Sequence, residues 1–381
     1  MIAATPYIAR WGIIGTGWIS SEFCKDIALV RDDVKDVLHS IVAVGSRDKA
    51  KAQSFIDEFC PKGANAQAGG ISSLTPKAVE GYEAVYNDPE VDIIYVGTPN
   101  QAHFENAKAA LEAGKHCLLE KPATLNAAEW AVLSELAKGK GLFLMEAVWT
   151  RFLPLTLKLQ ELIHEQKVIG DVRAVHSDFS MEFLGVVPPT HRTFNIDMAG
   201  GSMLDLGPYT LLPALLYLYH APANEQSPPE NLIGSMLKAE TGVDLSTSIT
   251  MNFPKINAKA FLSSSFAYNT AEDRATFITG TKGHITLASP GCRPTKATIR
   301  RFTKPGIMSY GHDDDEVIEL NFPQFGLYFE ADAVARSLRD GQLENPAMPH
   351  KETAMTMEIF DEVRRQNGYV FRKGLEQVQA S

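Results

Sequence analysis

The stretch Gly114-Lys115-His116-Cys117-Leu118-Leu119-Glu120-Lys121-Pro122 decides the fold. It reads as a short buried strand, opened by Gly114 and stopped at Pro122, that ends on a lysine. A parallel α/β sheet uses an apolar run halting at one charged side chain to bring a reactive group to its carboxyl edge, where ligands bind. Pro122 has no backbone N–H and biases the residue before it away from helical geometry, which sets Lys121 on a turn. A merely solvated strand-end lysine has the same local pattern. The flanking sequence separates the two.

Upstream, Trp11-Gly12-Ile13-Ile14-Gly15-Thr16-Gly17-Trp18-Ile19-Ser20 is an apolar strand running into a glycine turn. Ile19, Phe23, Ile27 and Val30 then recur at helical spacing. Gly15 permits the tight turn, and Gly17 lets backbone approach a pyrophosphate. The following helix start, at Trp18 and Ile19, offers unpaired N–H groups and positive dipole charge. Ser20 stands where the dinucleotide fingerprint prefers a third Gly or Ala. A second strand, 40–44, ends in Gly45-Ser46-Arg47. An NAD site generally places a carboxylate at this strand end. A hydroxyl and a guanidinium suit a 2′-phosphate instead, predicting a preference for NADP of roughly tenfold to hundredfold. The competing reading makes Arg47 a surface residue at the start of helix 48–59.

Residues 60–76 have little periodicity and read as a surface loop. A strand at 91–96 then runs into Gly97-Thr98-Pro99-Asn100, followed by helix 102–113. His103 lies near that helix start, beside the cofactor edge; it suits a packing role better than acid/base work. Beyond Lys121, Asn126 with Glu129 three positions on opens a helix to about 138. A strand at 142–145 follows. The alternation predicts a doubly wound parallel sheet, a Rossmann domain spanning 1–146. Gly15, Ser46, Thr98 and the Glu120-Lys121 pair all fall on its carboxyl edge.

In the second domain, 147–381, a helix at 154–166 and a strand at 172–180 precede a polar loop. Gly200-Gly201-Ser202-Met203-Leu204-Asp205-Leu206-Gly207-Pro208-Tyr209 then opens a strongly apolar helix to about 219. Asp205 and Tyr209, four apart, share a helical face, with Pro208 a source of kinking between them. Segments 232–238, 246–253, 258–266, 275–279, 284–288 and 297–302 read as strands without intervening helices. Helices at 328–339 and 351–365 close the chain. The expected class is α/β: the Rossmann domain plus an α+β domain with an open, mostly antiparallel sheet.

The chain's 381 residues suit two such domains. A net charge of −10 without a basic run argues against a nucleic-acid partner. No apolar stretch reaches the roughly 20 residues of a membrane helix. No secretory signal pattern opens the chain, so cytoplasmic residence is expected. Cys24, Cys60, Cys117 and Cys292 lack paired spacing, which favours reduced thiols over disulfides or zinc. The histidines show no metal-ligand spacing, His312-Asp313-Asp314-Asp315 reads as a solvated acidic turn, and no metal is expected.

Taken in order, Gly15-Thr16-Gly17, Thr98-Pro99-Asn100 with His103, Glu120-Lys121-Pro122, and Gly200-Gly201 with Asp205 and Tyr209 resemble the glucose–fructose oxidoreductase / inositol dehydrogenase family. Met145-Glu146-Ala147-Val148-Trp149-Thr150-Arg151-Phe152-Leu153-Pro154 is similar to its dimeric dihydrodiol dehydrogenase and NADP-dependent D-xylose dehydrogenase branch, and His191-Arg192 with Asp197-Met198-Ala199-Gly200-Gly201 to the fungal xylose enzymes. The resemblance implies hydride transfer to a nicotinamide, an open sheet that mediates homodimerisation, and Lys121, Asp205 and Tyr209 around the substrate hydroxyl. Tyr209 stands where many relatives carry His.

Oxidising a hydroxyl removes a proton from oxygen and a hydride from carbon. A free tyrosine, with a pKa of about 10, is a poor base at neutral pH, and a nearby ammonium lowers that value. Tyr209 as base activated by Lys121 is one assignment; Lys121 as the base is the other. Asp205 binds a second hydroxyl or holds the lysine. Trp149 and Phe179 either wall a sugar ring or aromatic diol or pack between domains. Arg192 bonds substrate hydroxyls or forms a salt bridge. The expected activity is NADP-dependent oxidation of a pyranose aldose, D-xylose favoured, at C1 to the aldonolactone. The alternatives are a trans-dihydrodiol dehydrogenase or dicarbonyl reductase, and a non-catalytic NADP-binding sensor.

Overall fold

The computed structural model describes residues 5–60, 75–304 and 311–379, so most of the expected 60–76 loop lies outside the described residues. The chain divides into two compact units. One comprises Met1–Trp149, Phe322–Ala354 and Gln377–Ser381; the other Thr150–Asn321 and Met355–Glu376.

The first unit is built on β1 (Tyr7–Ile14), β2 (Val37–Ser46), β3 (Lys77–Glu80), β4 (Ile93–Val96), β5 (His116–Glu120) and β6 (Leu144–Ala147). They form one sheet in the order β3-β2-β1-β4-β5-β6, with every pair parallel. This is the doubly wound dinucleotide-binding order. Helices α1 (Trp18–Ile27), α2 (Lys49–Phe59), α3 (Glu83–Tyr86), α4 (His103–Glu112) and α5 (Ala127–Lys140) alternate with the strands. Because all six strands run the same way, the ends at Ile14, Ser46, Val96 and Glu120 share one edge. β4 is buried along its whole length, as a central strand covered on both faces should be. β3 has no counterpart among the expected strands: its four residues carry exposed charges at both ends and too little apolar alternation to signal a strand. Asn126 caps α5 by accepting the Glu129 N–H at 2.8 Å, as its sequence spacing suggests.

A continuous second domain over 147–381 is not the division seen, because Phe322–Ala354 returns to the first unit. The cause is polar as well as apolar. Buried Asp26 on α1 accepts the N–H of Leu327 at 2.5 Å and of Phe325 at 3.4 Å. Asp332, on α8 (Leu327–Arg339), pairs with Arg31 at 2.7 Å and contacts His39 at 2.9 Å. These partners lie roughly 300 positions away in sequence, outside any local pattern.

The second unit begins with α6 (Pro154–Gln160), extended by a π-helical turn at Glu161–Glu165. Its eight-stranded sheet holds β7 (Val172–Ser180), β8 (Glu230–Lys238), β9 (Asp244–Phe253), β10 (Ala258–Ser265), β11 (Thr276–Gly280), β12 (Gly283–Leu287), β13 (Lys296–Arg301) and β14 (Glu316–Glu319). The order is β14-β13-β12-β11-β7-β10-β9-β8, antiparallel except for the β7–β10 pair. α7 (Ser202–Ala214) packs on β7, β9 and β10, and every one of its residues is buried, as its apolar character on all sides demands. α9 (His350–Gln366) ends the helical inventory of the described residues. β14 follows the acidic turn, whose Asp315 pairs with Arg300 at 2.6 Å while Glu316 pairs with Arg301 at 2.7 Å.

Candidate active site

At the end of β1, Gly15 has φ +87°, and a Cβ there would lie 2.5 Å from the Gly97 carbonyl oxygen. Only glycine fits both constraints. Gly17 is exposed and nearly open, and it begins α1 without a side-chain cap, so the first N–H groups of that helix remain available to an anion. Ser20 is fully buried and its Oγ has no partner among the described residues. The close helix–strand approach that a third glycine usually grants is supplied from the other side: a Cβ on Gly97 would collide with Ser20 Oγ. Gly97 is the residue that sequence reasoning passed over here.

At the end of β2, the Thr16 and Ser46 hydroxyls stand 3.3 Å apart. Arg47 is exposed, and among the described residues no ion pair engages it. The capping role belongs to Asp48, which accepts the Ala50 N–H at 2.7 Å. The donor set at this edge (open glycine turn, bare helix start, two hydroxyls, unengaged guanidinium) fits a dinucleotide with a phosphorylated ribose.

Thr98, buried, follows β4; Pro99 is exposed and Asn100 half-buried. Thr98 Oγ1 accepts from Asn106 at 3.1 Å. His103 is buried at the start of α4, with Nε2 2.7 Å from the Thr98 carbonyl and Nδ1 2.7 Å from the Pro122 carbonyl. Both partners are acceptors, so the neutral ring, with its single N–H, donates to one of the two carbonyls, and the tautomer decides which. Burial pulls this imidazole down to about 4, so it is neutral at pH 7.

The Lys121 turn carries a cis Lys121–Pro122 peptide bond. Glu120, 4% exposed, points inward: it accepts the Tyr95 hydroxyl at 2.6 Å and the Lys121 N–H at 3.2 Å. Burial pushes its carboxyl up to about 7, against the lowering effect of Tyr95 and Lys121. Glu146 on β6 accepts the Ala123 N–H at 3.0 Å. None of Tyr95, Glu146 or Glu330 carries a sequence signal beyond its strand or helix pattern. Trp149, buried, lies edge-on to Phe325 at 6.3 Å, and Phe325 lies edge-on to exposed Trp18 at 5.3 Å.

In the second unit Phe179 on β7 meets Tyr209 on α7 edge-on at 5.4 Å, and Arg192 pairs with Asp205 at 3.1 Å. Four expected substrate residues are thus brought together there, whereas Trp149 belongs to the first unit. Arg192 takes the salt-bridge alternative. The start of α7 depends on backbone closeness. Gly201 has φ +126°, and a Cβ on Gly200 would press on the Arg192 and Thr193 carbonyls at 2.6 Å. Asp244, 2% exposed and outside any expected site, accepts the Ser202 hydroxyl at 2.8 Å, the Met203 N–H at 2.7 Å and the Thr247 hydroxyl at 2.9 Å. Burial holds its carboxyl up at about 6.

Comparison with known proteins agrees with this construction. Residues 9–148 match the oxidoreductase family with an NAD-binding Rossmann fold, and residues 156–286 match the GFO/IDH/MocA C-terminal domain. The chain is 36% identical to D-xylose 1-dehydrogenase (NADP(+)) of Hypocrea jecorina, over 97% of this chain and 95% of that one. It is 31% identical to trans-1,2-dihydrobenzene-1,2-diol dehydrogenase of Danio rerio, over 95% and 98% of the two chains. Its fold is similar to that of a 3-ketoreductase from Actinomadura kijaniata solved with NADP (TM-score 0.74, 21% identity, 94% of this chain and 98% of that one). An aldose-aldose oxidoreductase from Caulobacter crescentus gives the same TM-score of 0.74 at 19% identity, over 94% and 97%. The chain belongs to the GFO/IDH/MocA family and is an NAD(P)-dependent oxidoreductase.

Proposed function

We propose that the protein oxidises a pyranose aldose, D-xylose being favoured, at C1 to the aldonolactone, with NADP as hydride acceptor. The observation that carries this reading is the near full-length similarity to a D-xylose 1-dehydrogenase (NADP(+)). The unengaged Arg47 beside the Thr16 and Ser46 hydroxyls supports NADP over NAD. When bound, the cofactor supplies the hydride acceptor, and this chain's residues do the rest. Gly15, Thr16, Gly17, Trp18 and Ile19 form the pyrophosphate turn; Thr98, Pro99 and Asn100 flank it. Tyr209 takes the hydroxyl proton, and the Lys121 ammonium lowers the phenol's pKa and orients the hydroxyl. Asp205, held by Arg192, accepts from a neighbouring substrate hydroxyl, and Phe179 offers an apolar wall beside Tyr209.

Absorbance of reduced nicotinamide, followed with both cofactors over a panel of pyranose aldoses and trans-dihydrodiols, tests the reading. Turnover of aldoses with NADP is expected. Turnover of dihydrodiols alone supports the second reading, which the dihydrodiol dehydrogenase relatives favour. Tight NADP binding without any turnover leaves a cofactor-binding sensor. Lys121→Ala and Tyr209→Phe each lower kcat by about 10²-fold with NADP binding retained; near-normal turnover in either variant removes its role. We further propose a cytoplasmic homodimer, consistent with free thiols at Cys24, Cys60, Cys117 and Cys292. No helix among the described residues is long and apolar enough to cross a membrane. Sedimentation decides the oligomeric state.

A further inference from the structure

Three consecutive residues of the lysine turn are each gripped by a buried ionisable side chain from a different element. Glu120 at the end of β5 accepts the Lys121 N–H; His103 on α4 stands against the Pro122 carbonyl; Glu146 on β6 accepts the Ala123 N–H. Glu120 is itself fixed by the Tyr95 hydroxyl, and the Tyr95 ring stacks on Phe23 at 4.0 Å. α8 adds a further carboxyl, Glu330, which is fully buried with neither oxygen partnered among the described residues.

We propose that Glu120 is a positioning residue for Lys121, its carboxylate holding the turn through the Lys121 N–H, while Glu330, buried without a donor among the described residues, stays neutral. The inference rests on the proposed role of Lys121. Neighbouring buried carboxyls do not both ionise readily, and the one supplied with donors takes the charge. Glu120 has two donors, the Tyr95 O–H and the Lys121 N–H; among the described residues Glu330 has none. Tyr95 from β4, Lys121 in the turn and Glu146 from β6 act electrostatically on Glu120, Glu120 acts in turn on Glu330 from α8, and Cys24 of α1 acts on Tyr95. Burial, then the neighbouring Glu120, keeps the Glu330 carboxyl well above the carboxylate range. Burial also places Glu120 at about 7. As pH rises through that value, a negative charge develops beneath Lys121. It tightens the bond from the Lys121 N–H, charge-assisted bonds being the stronger kind.

Two measurements test this. In the cofactor-free protein with 13C-labelled glutamate carboxyls, one signal should titrate near neutrality and vanish in Glu120→Gln. Glu330→Gln should leave that midpoint in place, because it replaces one neutral group by another. A midpoint in the ordinary carboxylate range, or a fall of a unit or more in Glu330→Gln, overturns the assignment. In turnover, the wild-type kcat should rise with pH across the same midpoint. Glu120→Gln should lower kcat about tenfold and flatten that limb with NADP affinity unchanged, and Glu120→Asp should restore part of the limb. An unaltered pH profile in Glu120→Gln overturns the positioning role. Failure of the wild type to turn over any sugar or diol counts against the proposed reaction alone, since the carboxyl titration is read without substrate.

Discussion

The lysine turn and the start of the tyrosine helix solve the same problem with different parts of the chain. Each fixes a short segment that bears one of the proposed catalytic side chains, and each does so with buried carboxyls accepting backbone N–H groups. At the lysine turn the grips come from neighbours: Glu120 is adjacent in sequence, His103 lies on α4, which leads into β5, and Glu146 lies on β6, which pairs with β5. At the start of α7 one carboxyl does most of the holding. Asp244 comes from β9, 42 positions beyond Ser202. A βαβ sheet stacks consecutive elements side by side, so its turns find support locally. A helix laid on a sheet still to be made borrows from strands further along the chain.

Removing the lone grip should therefore cost most. Asp244→Ala leaves the Met203 N–H and the Thr247 hydroxyl buried without their acceptor, and the Ser202 hydroxyl with the longer contacts to Ser264 at 3.3 Å. A loss of about 3 kcal/mol or more is expected in denaturant unfolding, against about 1 kcal/mol for Asp244→Asn, which keeps an acceptor oxygen. A cost below about 1 kcal/mol for the alanine variant breaks the contrast, since α7 would then be held by packing alone. The next effect belongs to the glycine turn. Gly97→Ala, which drives a methyl into Ser20 Oγ, should lose about 2 kcal/mol. Ser20→Ala removes an unpartnered buried hydroxyl and should be neutral to slightly stabilising. Combining the two should recover about half the loss; strict additivity would mean that the two sites do not press on one another.

pH sharpens the comparison because the carboxyls at both places are raised by burial, Glu120 to about 7 and Asp244 to about 6. Unfolded, each titrates near ~4. Their contribution to stability is thus fully present below that value and is lost as pH rises through about 6 to 7. His103 acts in the opposite sense: held at about 4 against an unfolded value near ~6.5, it contributes above the latter and loses that contribution as pH falls. Relative to wild type, Glu120→Gln should gain on the order of 1–3 kcal/mol between acid and neutral pH, and Asp244→Asn somewhat less. Parallel stability curves for wild type and variant would show that the carboxyl is not buried as described.

The same distinction explains what was legible in the chain. The strands ending at Ile14, Ser46, Val96 and Glu120 were readable because each is an apolar run cut off by turn chemistry within a few residues. The helix bearing Asp205 and Tyr209 was readable from Gly200-Gly201 and the apolar run behind it. The return of Phe322–Ala354 to the first unit was not, since it hangs on Asp26 and on Arg31 and His39 meeting Asp332. Nor was Asp244, one acidic residue at a strand start, nor Gly97, whose need for a bare backbone comes from Ser20 on another element. Cys24 and Cys60 show the same limit: scattered in sequence, their thiols interact in the fold. Local patterns report a residue's own backbone and burial; they say nothing of a partner brought in by topology.

The smallest expected effect lies at the far end of the edge that carries Lys121, and it turns the comparison around. Arg47 follows β2 as Lys121 follows β5, yet it is exposed and among the described residues engages no carboxylate. An exposed side chain that no carboxylate among the described residues holds contributes little to stability, so Arg47→Ala should leave unfolding within about 0.5 kcal/mol of wild type. On the proposed reading its work is done against a ligand phosphate. The variant should raise the KM for NADP about tenfold while leaving that for NAD unchanged, the size of one exposed charge-assisted contact. Equal changes for both cofactors would mean that the guanidinium meets a feature common to them, such as the adenine, and any preference for NADP would then have to come from the Thr16 and Ser46 hydroxyls alone.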